Sequence, residues 1–224
     1  MPSTSAPSAK PANQTSASGV RRVRQHVNPL KSDLLEIDVE AIDVPAGRRV
    51  EVELGSAEAH FLIDLARADR EGIYLGVEIR REVVDRANRA CRAAGLDNVR
   101  SVFANMSVDL PRLFAPESVD RFHLNFPDPW WKSRQQKRRV VSPQLARDIH
   151  AALALGGELF VETDIFDIAL EAMAVLEAED PRRFVNAAAP WSFLAQNPFA
   201  ARSRREKQCD AEGAKIWRLL YRKV

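Results

Sequence analysis

An aspartate stands between two prolines in Asn125-Phe126-Pro127-Asp128-Pro129, and Trp130, Trp131, Lys132, Arg134, Lys137, Arg138 and Arg139 follow within a few residues. Proline fixes its own φ and biases the residue before it away from the right-handed helix, so the Asp128 carboxylate is held rather than mobile. A held carboxylate suits hydrogen bonding to the planar edge of a polar substrate. Phe126 and the two tryptophans offer flat faces on which a base can stack, and the cations can follow a phosphate backbone. Core packing would explain one tryptophan, and a solvated helix face would explain a basic run. Neither explains why acid, aromatics and cations converge on one loop.

A second constellation suits a nucleotide-like ligand. Glu53-Leu54-Gly55 closes an apolar run and turns at once into a helical pattern, the arrangement in which backbone N–H groups meet a polar ligand. The next apolar run ends in Glu78, whose two carboxylate oxygens match the spacing of two ribose hydroxyls. A strand-end surface charge is the competing explanation. The intervening loop reads "GSAEA", with Ala57 and Ala59 where a GxGxG loop has glycine. Either the loop keeps the tight path at a cost in strain, or it is rebuilt around alanine with Ser56 or Glu58 supplying new polar contacts. The acids at 78 and 128 favour the rebuilt loop. A GxxxxGK[ST] triphosphate cradle is absent.

These residues need strand ends to position them. From Val50 onward, short β-branched runs ("RVEVEL", "IYLGVEI", "VRSVFA", "VDRFHLNF", "GELFVETD") alternate with helical patterns, which predicts an α/β fold with a mainly parallel sheet covered on both faces. Glu53, Glu78 and Asp128 all fall at carboxyl ends of strands, where ligands bind in such folds. "AKIWRLLYRK" from Ala214 predicts an antiparallel edge strand at the C-terminus, and residues 181–213 read as a loop-rich insertion with one short strand.

A chain of 224 residues accommodates one such domain, expected over 32–224, and a flexible basic tail over 1–31. Lys10, Arg21, Arg22, Arg24 and Lys31 all precede the first acid, Asp33, so the tail is cationic and the remainder net acidic. Basic N-terminal arms often meet nucleic acid, although a solubilising tail has the same composition. With no long apolar run and no signal-like start, a cytoplasmic protein without a membrane span is expected. Cys91 and Cys209 lack metal-site or disulfide spacing.

The sequence resembles the bacterial tRNA (guanine-N7)-methyltransferase family, whose NFPDPW loop, following lysine and KRR run are matched by Asn125–Trp130, Lys132 and Lys137–Arg139. The likeness extends from about Arg24 to Leu219 and takes in "HVNPL", "VELG", "GVEI", Thr163-Asp164, and Ser203 with Glu206. It implies a Rossmann-like class I methyltransferase, with a seven-stranded sheet, that moves a methyl group from S-adenosyl-L-methionine to N7 of a guanine in tRNA. By the resemblance Glu53, Gly55, Glu78, Asn105 and Asp128 bind the cofactor, and Asp128 is also the active-site acid. Lys132, Asp164, Ser203, Arg204, Arg205 and Glu206 then bind substrate. The departures are Ala57 and Ala59 for glycine, Asn105 for aspartate and Ser203 for threonine. Guanine N7 has a free lone pair, so Asp128 is expected to orient the base and stabilise the product cation rather than abstract a proton, and no metal is needed. A monomer is expected. The rival readings are a tRNA-binding module or partner subunit without catalysis, and an amino-group methyltransferase, whose loop has the form [DN]PP[YFW].

Overall fold

The computed structural model describes residues 27–129, 141–178 and 183–224. Trp130, Trp131, Lys132 and the rest of the basic run lie outside the described residues, as does the chain before Val27. A short helix α1 (Ser32–Leu35) leads into β1 (Val50–Leu54), α2 (His60–Ala68), β2 (Ile73–Glu78), α3 (Arg81–Ala93), β3 (Val99–Phe103), α4 (Leu110–Leu113) and β4 (Val119–Asn125). Then come α5 (Pro143–Ala152), β5 (Leu153–Thr163), α6 (Phe166–Ala178), β6 (Phe184–Asn186), α7 (Arg204–Glu212) and β7 (Trp217–Lys223).

The seven strands form one sheet in the order β3-β2-β1-β4-β5-β7-β6. Strands β1 to β5 pair in parallel, and β7 is antiparallel to β5 and to β6. The expected α/β architecture is present, with one correction: β7 is antiparallel but sits one place in from the edge. Leu219 and Tyr221 of β7 are buried, and the three-residue β6 covers the outer ladder that such a strand would otherwise expose. The stretch 181–213 also carries α7, which starts where Ser203 Oγ accepts the Glu206 N–H at 3.1 Å and stops at Gly213, φ 66°.

Both faces of the parallel strands are covered, so alternate residues enter two different interiors. Val50, Val52 and Leu54 join Leu75, Val77, Phe122, Leu124 and Val161 in the main apolar core. Glu51 and Glu53 point the other way and are just as buried. On that side a polar layer crosses four strands: Glu51 accepts from His123 Nε2 (2.7 Å) and Arg121 (3.0 Å), Arg121 also reaches Glu158 (2.6 Å), and Glu158 accepts from Arg222 (3.2 Å). Burial holds His123 below its ordinary pKa against the opposing pull of Glu51. Burial also pushes Glu51 up, but the His123 hydrogen bond and the Arg121 and Arg49 charges outweigh it and hold the carboxyl below its usual range. His123 is therefore neutral and donates to an ionised Glu51.

The chain leaves β1 towards β2 and β3 on one side, then returns to place β4 and β5 on the other. A crevice opens where the order reverses, above the carboxyl ends of β1 and β4.

Candidate active site

Two joined cavities occupy that crevice. The larger, about 800 Å³, is bordered by Glu53, the loop after β1, Asn125, Asp164, Ser203 and Arg204. The smaller, about 130 Å³, is bordered by Glu78, Ile79, Asn105, Met106, Val27 and Pro29. Gly55, Arg80, Asn125, Phe126, Pro127 and Asp128 border both. The strand ends expected to serve a ligand do meet.

At the end of β1, Glu53 is 5% exposed, and its Oε1 accepts from Asn125 Nδ2 at 2.9 Å. Its Oε2 has no partner, nor does Asn125 Oδ1. Burial pushes the Glu53 carboxyl up to about 8, the Asn125 bond opposes this, and the charges of Glu162 and Glu78 add to it.

The following loop is not rebuilt, contrary to the reading favoured from the sequence. Ala57 (φ 45°) and Ala59 (φ 58°) both occupy the left-handed region that glycine normally fills, as does Gly55 (φ 80°). The surroundings dictate this path. Ala57 N donates to Glu78 Oε2 (3.0 Å), Ala59 N to Ser56 O (2.8 Å), and Ser56 is seated on Gly76, where an added Cβ would lie 2.3 Å from its Oγ. Of the two expected replacement contacts, Ser56 is buried with its Oγ facing Ser101 Oγ (3.4 Å), and Glu58 borders the larger cavity while meeting Arg86 (3.4 Å) and His60 (3.5 Å).

An alanine held left-handed costs roughly 1–2 kcal/mol. Ala59 recovers part of this, because its methyl is fully buried among Phe61, Leu62 and Tyr74 and such a group is worth about 0.8 kcal/mol. Ala57 is exposed and recovers none. Ala57→Gly should therefore raise Tm by about 2–4 °C, while Ala59→Gly should leave it nearly unchanged. Scanning calorimetry that found equal rises, or a fall at Ala57, would contradict this account.

Glu78 is 2% exposed and fully engaged. Arg80 N (2.9 Å) and Nε (2.8 Å) donate to Oε1, while Arg80 Nη2 (2.8 Å) joins Ala57 N at Oε2. The guanidinium is held above its ordinary value first by the bond to Glu78, and the charges of Asp128 and Glu58 support it. Asp128, half-buried, thus faces the cavities across from a fixed cation. Phe126 avoids the right-handed helix, as a residue before proline should, but enters the left-handed region (φ 48°) rather than the extended one, with its N–H on Glu162 O at 2.8 Å. For a bulky residue that is a cost of roughly 1–3 kcal/mol, of a kind that clusters at functional sites.

Of the expected substrate residues, Asp164 follows β5 and pairs with Arg205 at 2.5 Å. Ser203 donates to Glu162 Oε1 at 2.9 Å, and Arg204 borders both the larger cavity and an adjoining one of about 420 Å³ that Arg67 and Lys207 also line. Glu206, expected with them, is fully buried and accepts from Asn197 Nδ2 (2.9 Å) and Arg218 Nη2 (2.9 Å). Its spacing from Ser203 also marks the start of α7. Lys132 lies outside the described residues.

Sequence reasoning missed Asn125, Arg80 and Gly76 as parts of the site. Asn125 opens the proline loop, so its neighbours pointed to it, but nothing local identified Glu53 as its partner. Among the described residues no group of His, Cys, Asp or Glu could hold a metal ion, and no helix is long and apolar enough to cross a membrane.

Residues 47–219 match a family model described as "Putative methyltransferase". A protein named tRNA (guanine-N(7)-)-methyltransferase from Synechococcus sp. (strain JA-3-3Ab) is 37% identical over 88% of this chain and 84% of its own. Proteins of the same name from Synechococcus elongatus (35%; 89% and 95%) and Microcystis aeruginosa (34%; 90% and 97%) are also similar. Among solved structures, the aminoglycoside resistance methyltransferase NpmB1 has a TM-score of 0.52 at 18% identity, covering 79% of this chain and 88% of that one. Geranyl diphosphate C-methyltransferase from Streptomyces coelicolor A3(2), solved with S-adenosyl-L-homocysteine, has a TM-score of 0.53 at 15%, covering 80% and 76%. At such identities the structural likeness concerns the fold.

Proposed function

Since this chain belongs to the tRNA (guanine-N7)-methyltransferase family, we infer that it uses S-adenosyl-L-methionine to methylate N7 of a guanine in tRNA, with the two joined cavities as its active site. One observation carries the reading of the site: Glu53 Oε2 and Asn125 Oδ1 are buried oxygens without a hydrogen-bond partner, at the edge of the larger cavity. An unsatisfied buried acceptor costs roughly 1–3 kcal/mol, which a ligand bearing N–H groups removes. The α-ammonium of the cofactor's methionine part is such a group, so the residues fit it. The smaller cavity, between Glu78 and Asn105, suits the adenosine end. Ribose hydroxyls at Glu78 would exchange with the Arg80 N–H groups now on the same two oxygens.

When bound, the cofactor supplies a sulfonium methyl group that the N7 lone pair attacks in line, which leaves a neutral thioether and transfers the positive charge to the purine. N7 has no proton to lose. Asp128 therefore serves by orienting the guanine N–H edge and by stabilising the charge that arrives on the ring. Asp164, Ser203, Arg204 and Arg205 border the mouth through which the nucleotide enters, with Arg204 placed for a phosphate. The cations at 132–139 and in the N-terminal tail are assigned to the RNA backbone. We further propose a cytoplasmic monomer built as one domain over 32–224, which sedimentation of the purified protein would test for oligomeric state.

The Glu53 assignment makes a pH prediction. The folded-state pKa lies above the unfolded value of 4.5, so the free protein binds more protons than the unfolded chain and loses stability as pH rises from 4.5 towards about 8. An ammonium ligand favours the carboxylate. Binding of S-adenosylhomocysteine near pH 7 should then release about one proton, seen as a calorimetric heat that varies with buffer ionisation enthalpy, and the ligand-induced rise in Tm should grow over the same pH interval. Heats independent of buffer would remove Glu53 from the ligand's contacts.

The function itself is tested by nucleoside mass spectrometry of tRNA incubated with the protein and S-adenosyl-L-methionine. 7-Methylguanosine is expected. Methyl groups found only on exocyclic amines would support the amino-group reading, and tRNA binding without cofactor binding or methylation would support the RNA-binding module.

A further inference from the structure

Asn105, one of the departures from the family pattern, uses its side-chain amide in an unusual way. It is 1% exposed, and its Nδ2 donates to two backbone carbonyls of the N-terminal segment, Pro29 O and Leu34 O, each at 2.9 Å. Its Oδ1 accepts from Ser107 N at 3.0 Å, which fixes the turn after β3. Both N-terminal partners are acceptors only, so the nitrogen must face them. Leu34 lies in a four-residue helix, too short to satisfy its own last carbonyls, and the amide does so instead. An aspartate could keep the Ser107 bond but would set a second oxygen against two carbonyls.

The segment held in this way is part of the pocket. Val27 and Pro29 line the smaller cavity together with Gly55, Glu78, Met106 and Leu124. Within residues 27–31, Val27 and Pro29 are half-buried against this cavity, while Leu30 and Lys31 are exposed. The segment is also the link between the cofactor crevice and the cationic chain that precedes it.

We propose that Asn105 is a positioning residue, a clasp whose two donated hydrogen bonds hold Val27–Leu34 in place as the outer wall of the adenosine pocket, so that ordering of the N-terminal segment and cofactor binding are one linked equilibrium. This rests on the cofactor reading of the two cavities. Cofactor bound under the wall favours the clasped state, and the clasped state in turn raises affinity.

The test uses the full chain with Asn105→Asp, Pro29→Ala and the double variant, titrated with S-adenosylhomocysteine, together with hydrogen exchange of residues 27–35 in the absence of ligand. Asn105→Asp should speed exchange at Leu34 and Leu35. If loss of the clasp leaves the closed wall about 10% populated, affinity should fall about tenfold. Pro29→Ala removes the ring from the wall but keeps the carbonyl, and should weaken binding on its own. In the double variant the two losses should multiply, because the cofactor still selects the closed wall, made scarcer by one change and poorer by the other. A double loss no greater than that of Asn105→Asp alone would show the cofactor binding with the wall open, and that result, or unchanged exchange or unchanged affinity in Asn105→Asp, would overturn the clasp. Absence of binding by the wild-type protein would remove the cofactor reading and the linkage with it, a result told apart from failure of the clasp because exchange is measured without ligand.

Discussion

Asp128→Ala is expected to lower kcat by about 10²–10³-fold, the range seen when one preorganised electrostatic contact to a developing charge is removed, while affinity for S-adenosylhomocysteine stays within about threefold. The separation follows from the geometry. Arg80 is secured by three hydrogen bonds to Glu78, so the cofactor end of the crevice should survive the change. The base end should not, since a carboxylate fixed between Pro127 and Pro129 is replaced by a methyl group. Asp128→Asn refines the result: it keeps an acceptor of the same shape but not the charge. If stabilisation of the cation dominates, Asn should fall nearly as far as Ala. If orientation dominates, it should retain much of the rate. Activity within a few-fold of wild type in the alanine variant, or a parallel collapse of cofactor binding, would take Asp128 out of its assigned role.

Gly76→Ala should have the second-largest effect, on stability and binding together. A Cβ there would lie 2.3 Å from Ser56 Oγ, 2.7 Å from Ser56 Cβ and 2.7 Å from Ser101 Oγ. A Cβ atom cannot swing aside as the end of a long side chain can, so the loop after β1 must lift from β2. Overpacking of this kind costs roughly 1–3 kcal/mol. Lifting the loop also strains the Ala57 N–H bond to Glu78, so affinity for S-adenosylhomocysteine should fall by about tenfold or more, as a 1.4 kcal/mol change would give. Adding Ser56→Gly removes both Ser56 atoms and leaves only Ser101 Oγ, a side-chain end that can rotate, so it should restore much of the lost Tm. Wild-type Tm and affinity in the single variant would show that the loop does not rest on Gly76.

The carboxyl-end acids were legible because a strand end followed by a turn is a local pattern, and Glu53, Glu78 and Asp128 each sit on one. The direction of the loop after Gly55 was not. Alanine normally avoids positive φ, and the contacts that override this preference come from Glu78 and Gly76, more than sixteen residues away and on another strand. Glu51 and Glu53 illustrate the same limit. They are two residues apart on the same face of β1, yet one is ion-paired within the sheet and the other opens on a cavity. The difference lies in whether Arg121 and His123 or Asn125 stands beside them, which only the pairing with β4 decides. The partners of Glu206 were hidden for a related reason, since Asn197 and Arg218 come from a loop and a strand. The inner position of β7 depended on β6, three residues long and too short to announce itself as a strand.

Glu51, Arg121, Glu158 and Arg222 stand directly opposite one another in the pairings of β1 with β4, β4 with β5 and β5 with β7. The row runs from the buried Glu51 to the exposed Arg222 and is poor evidence for added stability, because desolvation offsets much of the attraction at its inner end. What it does penalise is a sheet assembled two residues out of step. Such a slip keeps every apolar side chain on its proper face and so escapes the usual hydrophobic check. It would, however, separate the opposite charges and, between β4 and β5, set Arg121 opposite Phe160, a misalignment costing several kcal/mol. Asn125 can reach Glu53 only when β1 and β4 are in step, so the alternation of charge acts as an indexing mark that brings the two halves of the crevice to the same height.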